Sequence, residues 1–232
     1  FSVRNPKHEL EIQELLSGGF DYIALGHRLS GHLSFPRRIA TAYLNASIYP
    51  LHKRFFEAVR DSLRRKGLDI PIYILKADGG TMNLEASIDY PGQTILSGPA
   101  ASVMGSLPFA AASQETLVLD IGGTTTDMAI LIHQVPLLDP VGIELSGHKT
   151  LIRSLKTRSI GLGGDSVVRV VKGDLTIGPD RQGGPMACGG PLPTPTDALV
   201  VMGKYPEGDR SASLRGLEPL AGQLGMPVEK AA

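Results

Sequence analysis

Asp120-Ile121-Gly122-Gly123-Thr124-Thr125-Thr126-Asp127 is the stretch whose interpretation decides the fold. It follows the apolar run Thr116-Leu117-Val118-Leu119 and leads into Met128-Ala129-Ile130-Leu131-Ile132. Two strand-like runs around a glycine pair predict a hairpin, with strands over 117–121 and 126–132 and the sharpest bend at Gly122-Gly123. The same residues suit an anion. Glycines let backbone N–H groups approach a phosphate without a Cβ in the way. Three threonine hydroxyls add donors, and Asp120 at the strand end can hold a hydrated divalent cation. A plain tight hairpin with polar turn residues explains the letters too. The residues by themselves leave both open.

Two further glycine turns lie on either side. Ile160-Gly161-Leu162-Gly163-Gly164-Asp165 runs into a strand over 166–171, and Asp78-Gly79-Gly80 follows a strand over 70–75. The first lacks the third spaced glycine of a dinucleotide fingerprint, and taken alone both read as structural turns. Between them, Pro99-Ala100-Ala101 opens a small-residue helix over 99–112. Ala100, Ala101, Ser102 and Gly105 predict its close burial between two sheets.

Upstream, Asn5-Pro6 caps a helix that ends at Gly18-Gly19. Tyr22 to Leu25 reads as a short buried strand. Apolar residues every three to four positions from Ile39 to Leu63 give a long helix, which Pro50 should kink or break. Downstream come a strand over 151–158, a short helix capped by Thr196-Asp197, and helical spacing over 214–224 weakened by Gly216, Pro219 and Gly222. Mixed helices and strands, with strands feeding glycine turns, favour an α/β layered fold.

Composition narrows the function classes. The 232 residues carry 23 Lys+Arg against 23 Asp+Glu, so no basic field marks a nucleic-acid binder. A hydrophobic content of 42% excludes a disordered chain. No apolar run approaches the roughly 20 residues needed to cross a bilayer. There is no secretory signal and no initiator Met at Phe1, so the chain reads as processed or cut, and a cytoplasmic compartment is the default. The single cysteine, Cys188, excludes an internal disulfide and reads as a small buried residue. The six histidines never take a zinc-like helical spacing, and no Walker A loop or Gly-x-Ser-x-Gly elbow occurs.

The order of segments resembles the hydantoinase/oxoprolinase family, A-type subunit. Ser97-Gly98-Pro99-Ala100-Ala101 followed by Leu119 to Asp127 carries the resemblance, together with Thr41 to Ala46, Ala77 to Gly80, Ile160 to Gly164, Pro195 to Ala198 and Leu224 to Ala232. No one of these is decisive, but their collinearity over nearly the whole chain is specific. Thr125 stands where many relatives have Ser, and the segments 178–188 and 203–213 look shortened. The family belongs to the actin-like (ribonuclease H-like) ATPase superfamily, with sugar kinases and heat-shock chaperone ATPases. The resemblance implies mixed sheets with flanking helices, ATP and Mg2+ as cofactors, and 120–127 as the phosphate loop of a second lobe. Residues 1–98 would then close a first lobe, and 99–232 would supply a crossing helix and the start of the second.

By that resemblance Asp120 and Asp127 are the catalytic carboxylates, with Asp120 also the metal-bound one. Gly122, Gly123, Thr124, Thr125, Thr126, Gly163 and Gly164 are the nucleotide contacts. The implied activity is ATP-dependent opening of a cyclic amide of the hydantoin or 5-oxoproline type, in a homo- or hetero-oligomer with a B-type partner subunit. An acetone-carboxylase-type subunit and a non-catalytic actin-like nucleotide-binding module are the alternatives. The sequence shows one phosphate hairpin where the superfamily clamps ATP between two, so this stretch alone is expected to bind nucleotide weakly and to catalyse nothing.

Overall fold

The computed structural model describes residues 2–232; Phe1, the chain start weighed above, lies outside them. Helices α1 (Lys7–Leu16), α2 (Gly26–Leu29) and α3 (Phe35–Arg65) come first. A short antiparallel pair, β1 (Tyr73–Leu75) and β2 (Thr81–Asn83), precedes α4 (Leu84–Asp89) and α5 (Ser97–Ser106). Then follow β3 (Glu115–Ile121), β4 (Thr126–Ile132), β5 (Val135–Pro136), β6 (Leu138–Asp139), β7 (Glu144–Leu145), β8 (His148–Lys149), β9 (Ser154–Leu155) and β10 (Thr157–Ile160). Strands β11 (Ser166–Val171) and β12 (Asp174–Arg181) lead to α6 (Pro195–Val201), α7 (Arg210–Leu224) and α8 (Val228–Ala231). The widest sheet runs β10-β4-β3, with β5 against β4. The strands β3 and β4 match the expected hairpin, and a connection of four residues leaves only the antiparallel arrangement.

The chain forms two compact units. One runs up to Thr116 and includes Ala129–Thr157; the other comprises Leu117–Met128 and Arg158–Ala232. In the first, α3 is one continuous helix across Pro50, where a kink or a break was expected; it does not break. Anchors on both sides of the proline explain it. Thr41 Oγ1 accepts the Leu151 N–H at 2.8 Å, Asn45 Oδ1 accepts the Gly92 N–H at 3.0 Å, and His52 Nε2 meets Ser87 Oγ at 2.8 Å. Tertiary contacts at positions 41, 45 and 52 outweigh one missing backbone bond.

Three other expectations shift here. Tyr22 to Leu25 forms no strand. Tyr22 stacks on Tyr49 with ring centroids 4.1 Å apart and donates its hydroxyl to Asp89 O, so side chains rather than a sheet ladder hold the segment. Helix α5 is shorter than 99–112, because it tightens at Leu107 into the 3-10 turn Leu107–Phe109, where Pro108 has no N–H to continue the α ladder. It buries only Ala100 and Val103, while Gly98, Ala101 and Gly105 are exposed, so it is not sandwiched as expected. The strand over 151–158 divides into β9 and β10 at Lys156, whose N–H turns to Leu137 O at 2.7 Å.

In the second unit β11 and β12 pair antiparallel around Lys172-Gly173, with φ of 55° and 87°. Left-handed residues at both turn positions match the twist of the hairpin. Val167, Val168, Val200, Val201, Leu217 and Ala221 form the core. Helix α6 begins at Pro195, with Thr194 as its cap and Asp197 completing a capping box. The Asp197 carboxylate is fully buried and accepts five hydrogen bonds, from the N–H groups of Met186, Ala187 and Thr194 and from the hydroxyls of Thr194 and Ser213. Helix α7 is continuous across Gly216, Pro219 and Gly222, and Gly216 leaves room for Met186 Sδ, which a Cβ there would overlap. Cys188, expected to be buried, is exposed in the 3-10 turn Met186–Cys188.

Candidate functional site

All of the site's geometry lies in the second unit. The Gly122 N–H closes the β3–β4 turn on Thr125 O at 2.9 Å, and residues 122–125 are exposed. Behind them the second glycine turn is bolted on. The Gly164 N–H donates to Gly122 O at 2.9 Å and the Asp165 N–H to Gly123 O at 2.7 Å. Thr126 is buried and donates its hydroxyl to Leu162 O at 2.7 Å. A Cβ at Gly163 would stand 2.6 Å from Gly122 O and from the carbonyl carbon and oxygen of Gly123. That is closer than side-chain atoms come, so only glycine lets the two backbones meet. The first turn of α6 locks the other side: Thr196 N and Oγ1 both donate to Gly164 O, at 3.1 and 2.8 Å.

The predicted nucleotide contacts therefore divide by position. Gly123, Thr124 and Thr125 stand at the exposed tip. Gly122 and Thr126 turn an N–H and a hydroxyl inward, and Gly163 and Gly164 do the same with their N–H groups, Gly163 onto Ser166 Oγ at 2.9 Å. These four build the turn that presents the other three.

Carboxylates surround the tip. Asp120 is exposed at the end of β3, and half-buried Asp127 accepts a hydrogen bond from Ser159 Oγ. Asp165 Oδ2 pairs with Arg181 at 2.7 Å, and it lies 2.8 Å from where a Cβ on Gly123 would be. Asp165, Arg181, Ser159 and Thr196 were not among the predicted site residues. Asp165 was legible as the residue closing the Gly161–Gly164 turn. Arg181 reaches it only because β12 folds back on β11, a placement with no local signal. Exposed backbone donors and hydroxyls beside carboxylates could take a phosphate that arrives with a divalent cation.

Comparison with known proteins identifies the family and the fold. The family model described as Hydantoinase/oxoprolinase matches residues 38–232. An uncharacterised protein of Methanocaldococcus jannaschii is 27% identical over all of this chain, which spans 38% of that protein. The caprolactamase subunit alpha of Pseudomonas jessenii is 24% identical, again over all of this chain and 36% of the relative. Among solved structures, the ATP-dependent caprolactamase from Pseudomonas jessenii superposes with a TM-score of 0.69 at 25% identity. A nucleotide-free acetone carboxylase superposes with a TM-score of 0.72 at 20% identity. Each superposition covers 99% of this chain and 36% of the other. This chain thus spans little more than a third of the length of the relatives it matches. Among the described residues no helix is long and apolar enough to cross a membrane.

Proposed function

This chain belongs to the hydantoinase/oxoprolinase family and carries its actin-like ATPase fold, and from that premise we propose that it is part of an ATP-dependent enzyme opening a cyclic amide of the hydantoin or 5-oxoproline type. The observation that supports the reading is the β3–β4 tip, a donor-bearing glycine turn held rigid from behind by a second glycine turn and by Thr196. In this assignment residues 1–98 close the first lobe and 99–232 hold the crossing helix and the start of the second.

Gly123 and Thr124 offer backbone N–H groups, and the hydroxyls of Thr124 and Thr125 add donors toward phosphate oxygens. Asp120 holds hydrated Mg2+ from the strand end. Asp127, tied to Ser159, orients the hairpin. The Asp165–Arg181 pair sets the charge behind Gly123. ATP bound at this tip would give its γ-phosphoryl group to the amide oxygen and leave as ADP; water would then add to the activated carbon, and loss of inorganic phosphate with cleavage of the C–N bond would open the ring. The chain's own contribution is position and charge: a turn that cannot yield keeps its donors aimed without reorganising. A B-type partner subunit completes the enzyme.

The test uses the full-length protein together with its B-type partner subunit, with ATP, Mg2+ and either hydantoin, 5-oxoproline or caprolactam. ADP release matched one for one by ring-opened product supports the reading. ATP turnover that requires bicarbonate would replace it with a carboxylase. Nucleotide binding without turnover on any of these would replace it with a non-catalytic module.

A further inference from the structure

The Asp78-Gly79-Gly80 turn has no part in the nucleotide reading, yet it is built into a cavity of the first unit. The cavity has a volume of about 350 Å³, and Lys76, Asp78, Arg153, Asn45 and Gln93 line it. That volume is at the lower end of pockets that take small organic molecules. The turn fixes its polar wall. Lys76 N–H donates to Gly80 O at 2.8 Å, and Gly80 N–H donates to Asp78 Oδ1 at 3.1 Å. A Cβ at Gly80 would stand 3.0 Å from Lys76 Cε and 3.2 Å from Asp78 Oδ1, so the glycine makes room for both side chains.

The charges at this wall do not balance. Asp78 Oδ2 faces Lys76 Nζ at 3.2 Å and Arg153 at 3.4 Å. One carboxylate serves two cations, and it is the single acid among the residues lining the cavity. The Lys76 and Asp78 side chains are only 22% and 16% exposed. Lys76 and Asp78 offset one another partly out of water, so the unmatched positive charge rests on Arg153, a lining side chain that is 60% exposed and open to an incoming anion. The Arg153 contact is a single long one, which leaves most of the guanidinium's five donors for another acceptor. Lys76 likewise has three donors and one carboxylate partner. The carboxamide side chains of Asn45 and Gln93 line the same space.

We propose that this cavity binds a small organic monocarboxylate, with Lys76 and Arg153 taking the carboxylate and Asp78 holding the two cations in place. One negative charge on the ligand neutralises the cluster. Amide or carbonyl groups on the remainder of the ligand suit the carboxamide wall. The inference stands apart from the nucleotide reading, since every residue it uses lies in the first unit and no phosphate is required.

Calorimetric titration of the full-length protein without nucleotide tests it, using N-acetylglycine and its neutral methylamide as probes. Wild type should bind N-acetylglycine at least about tenfold more tightly than the methylamide, the scale of one charge-assisted pairing. Raising the salt concentration should weaken only the carboxylate. Arg153→Gln should erase the preference, and Arg153→Lys should keep most of it. Arg153 is 60% exposed, and thermal unfolding checks that both variants fold. If Arg153→Gln does not fold, the wild-type preference and Arg153→Lys still decide. Equal binding of both probes, no saturable binding, or an undiminished preference in a folded Arg153→Gln would each overturn the assignment.

Discussion

Replacing Gly163 by alanine tests the construction of the phosphate turn more sharply than replacing any of its donors. The new Cβ would stand 2.6 Å from three backbone atoms of Gly122 and Gly123, where ordinary contact begins near 3.4 Å. Backbone cannot swing aside as a side-chain tip can, so the two turns must part by about 0.8 Å, the gap between those distances. The bonds Gly164 N–H to Gly122 O and Asp165 N–H to Gly123 O, now 2.9 and 2.7 Å, would stretch to the edge of hydrogen bonding or beyond it. Two such bonds are worth about 0.5–1.5 kcal/mol each, and a buried group left unpaired costs about 1–3 kcal/mol more. The expected loss is about 2–6 kcal/mol. In a domain of this size that lowers Tm by on the order of 5–20 °C. Donors displaced by close to 1 Å should also cut nucleotide-dependent turnover by on the order of 10²-fold. Differential scanning calorimetry and ATP turnover of the full-length protein read both effects. Gly98→Ala is the control, because a Cβ there meets nothing within 4 Å and its helix should tolerate alanine. A Gly163→Ala protein with wild-type Tm and turnover would refute the packing of one turn on the other.

Asp120→Asn should leave Tm close to wild type, since the side chain is exposed at a strand end, and should lower ATP-dependent ring opening by on the order of 10²-fold or more; near-normal turnover in the folded variant would remove Asp120 from the mechanism. Asp197→Asn should cost about 3–5 kcal/mol in urea unfolding, because one oxygen of a buried carboxylate with five donors becomes an amide NH2 that faces donors; a loss under about 1 kcal/mol would contradict the network. For Glu9, burial pushes the pKa up, but the backbone N–H and imidazole of His27 and the Ser2 side chain outweigh it and hold the pKa below its ordinary 4.5. A folded value below the unfolded one means its stabilisation is present above about pH 4.5 and is lost as the pH falls through the folded value. Glu9→Gln should therefore unfold at a lower temperature than wild type at pH 7, with the difference closing in acid; a gap constant down to pH 3 would exclude the linkage.

The 232 residues by themselves determined the local grammar of this protein. The hairpin over 117–132 and its bend were legible because two continuous apolar runs and a glycine pair act over a few bonds, where steric rules hold regardless of context. The same is true of the β11 strand and of the long helix and α7, where spacing revealed the elements despite Pro50 and Pro219. What propensity could not decide was whether those prolines would break their helices. That depended on anchors distant in sequence, such as Leu151 and Gly92 on α3. Tyr22 to Leu25 shows the reverse: an apolar run with strand composition became no strand, because a strand exists only where a partner offers its backbone.

The candidate site divides along the same line. The donors at Gly123, Thr124 and Thr125 and the carboxylates Asp120 and Asp127 are contiguous in the chain, so the sequence displays them together. The reason Gly163 is glycine is not local at all. It lies in the carbonyls of Gly122 and Gly123 forty residues upstream, which approach it only after folding. Asp165 against Gly123, Arg181 on Asp165 and Thr196 on Gly164 were likewise decided by tertiary structure. Chain periodicity revealed α3 as a helix but not the face it buries here: Ile39, Tyr43, Leu51 and Phe55 are exposed while Arg38, Thr41 and Asn45 are buried, because the distant backbone at Leu151 and Gly92 meets the polar side.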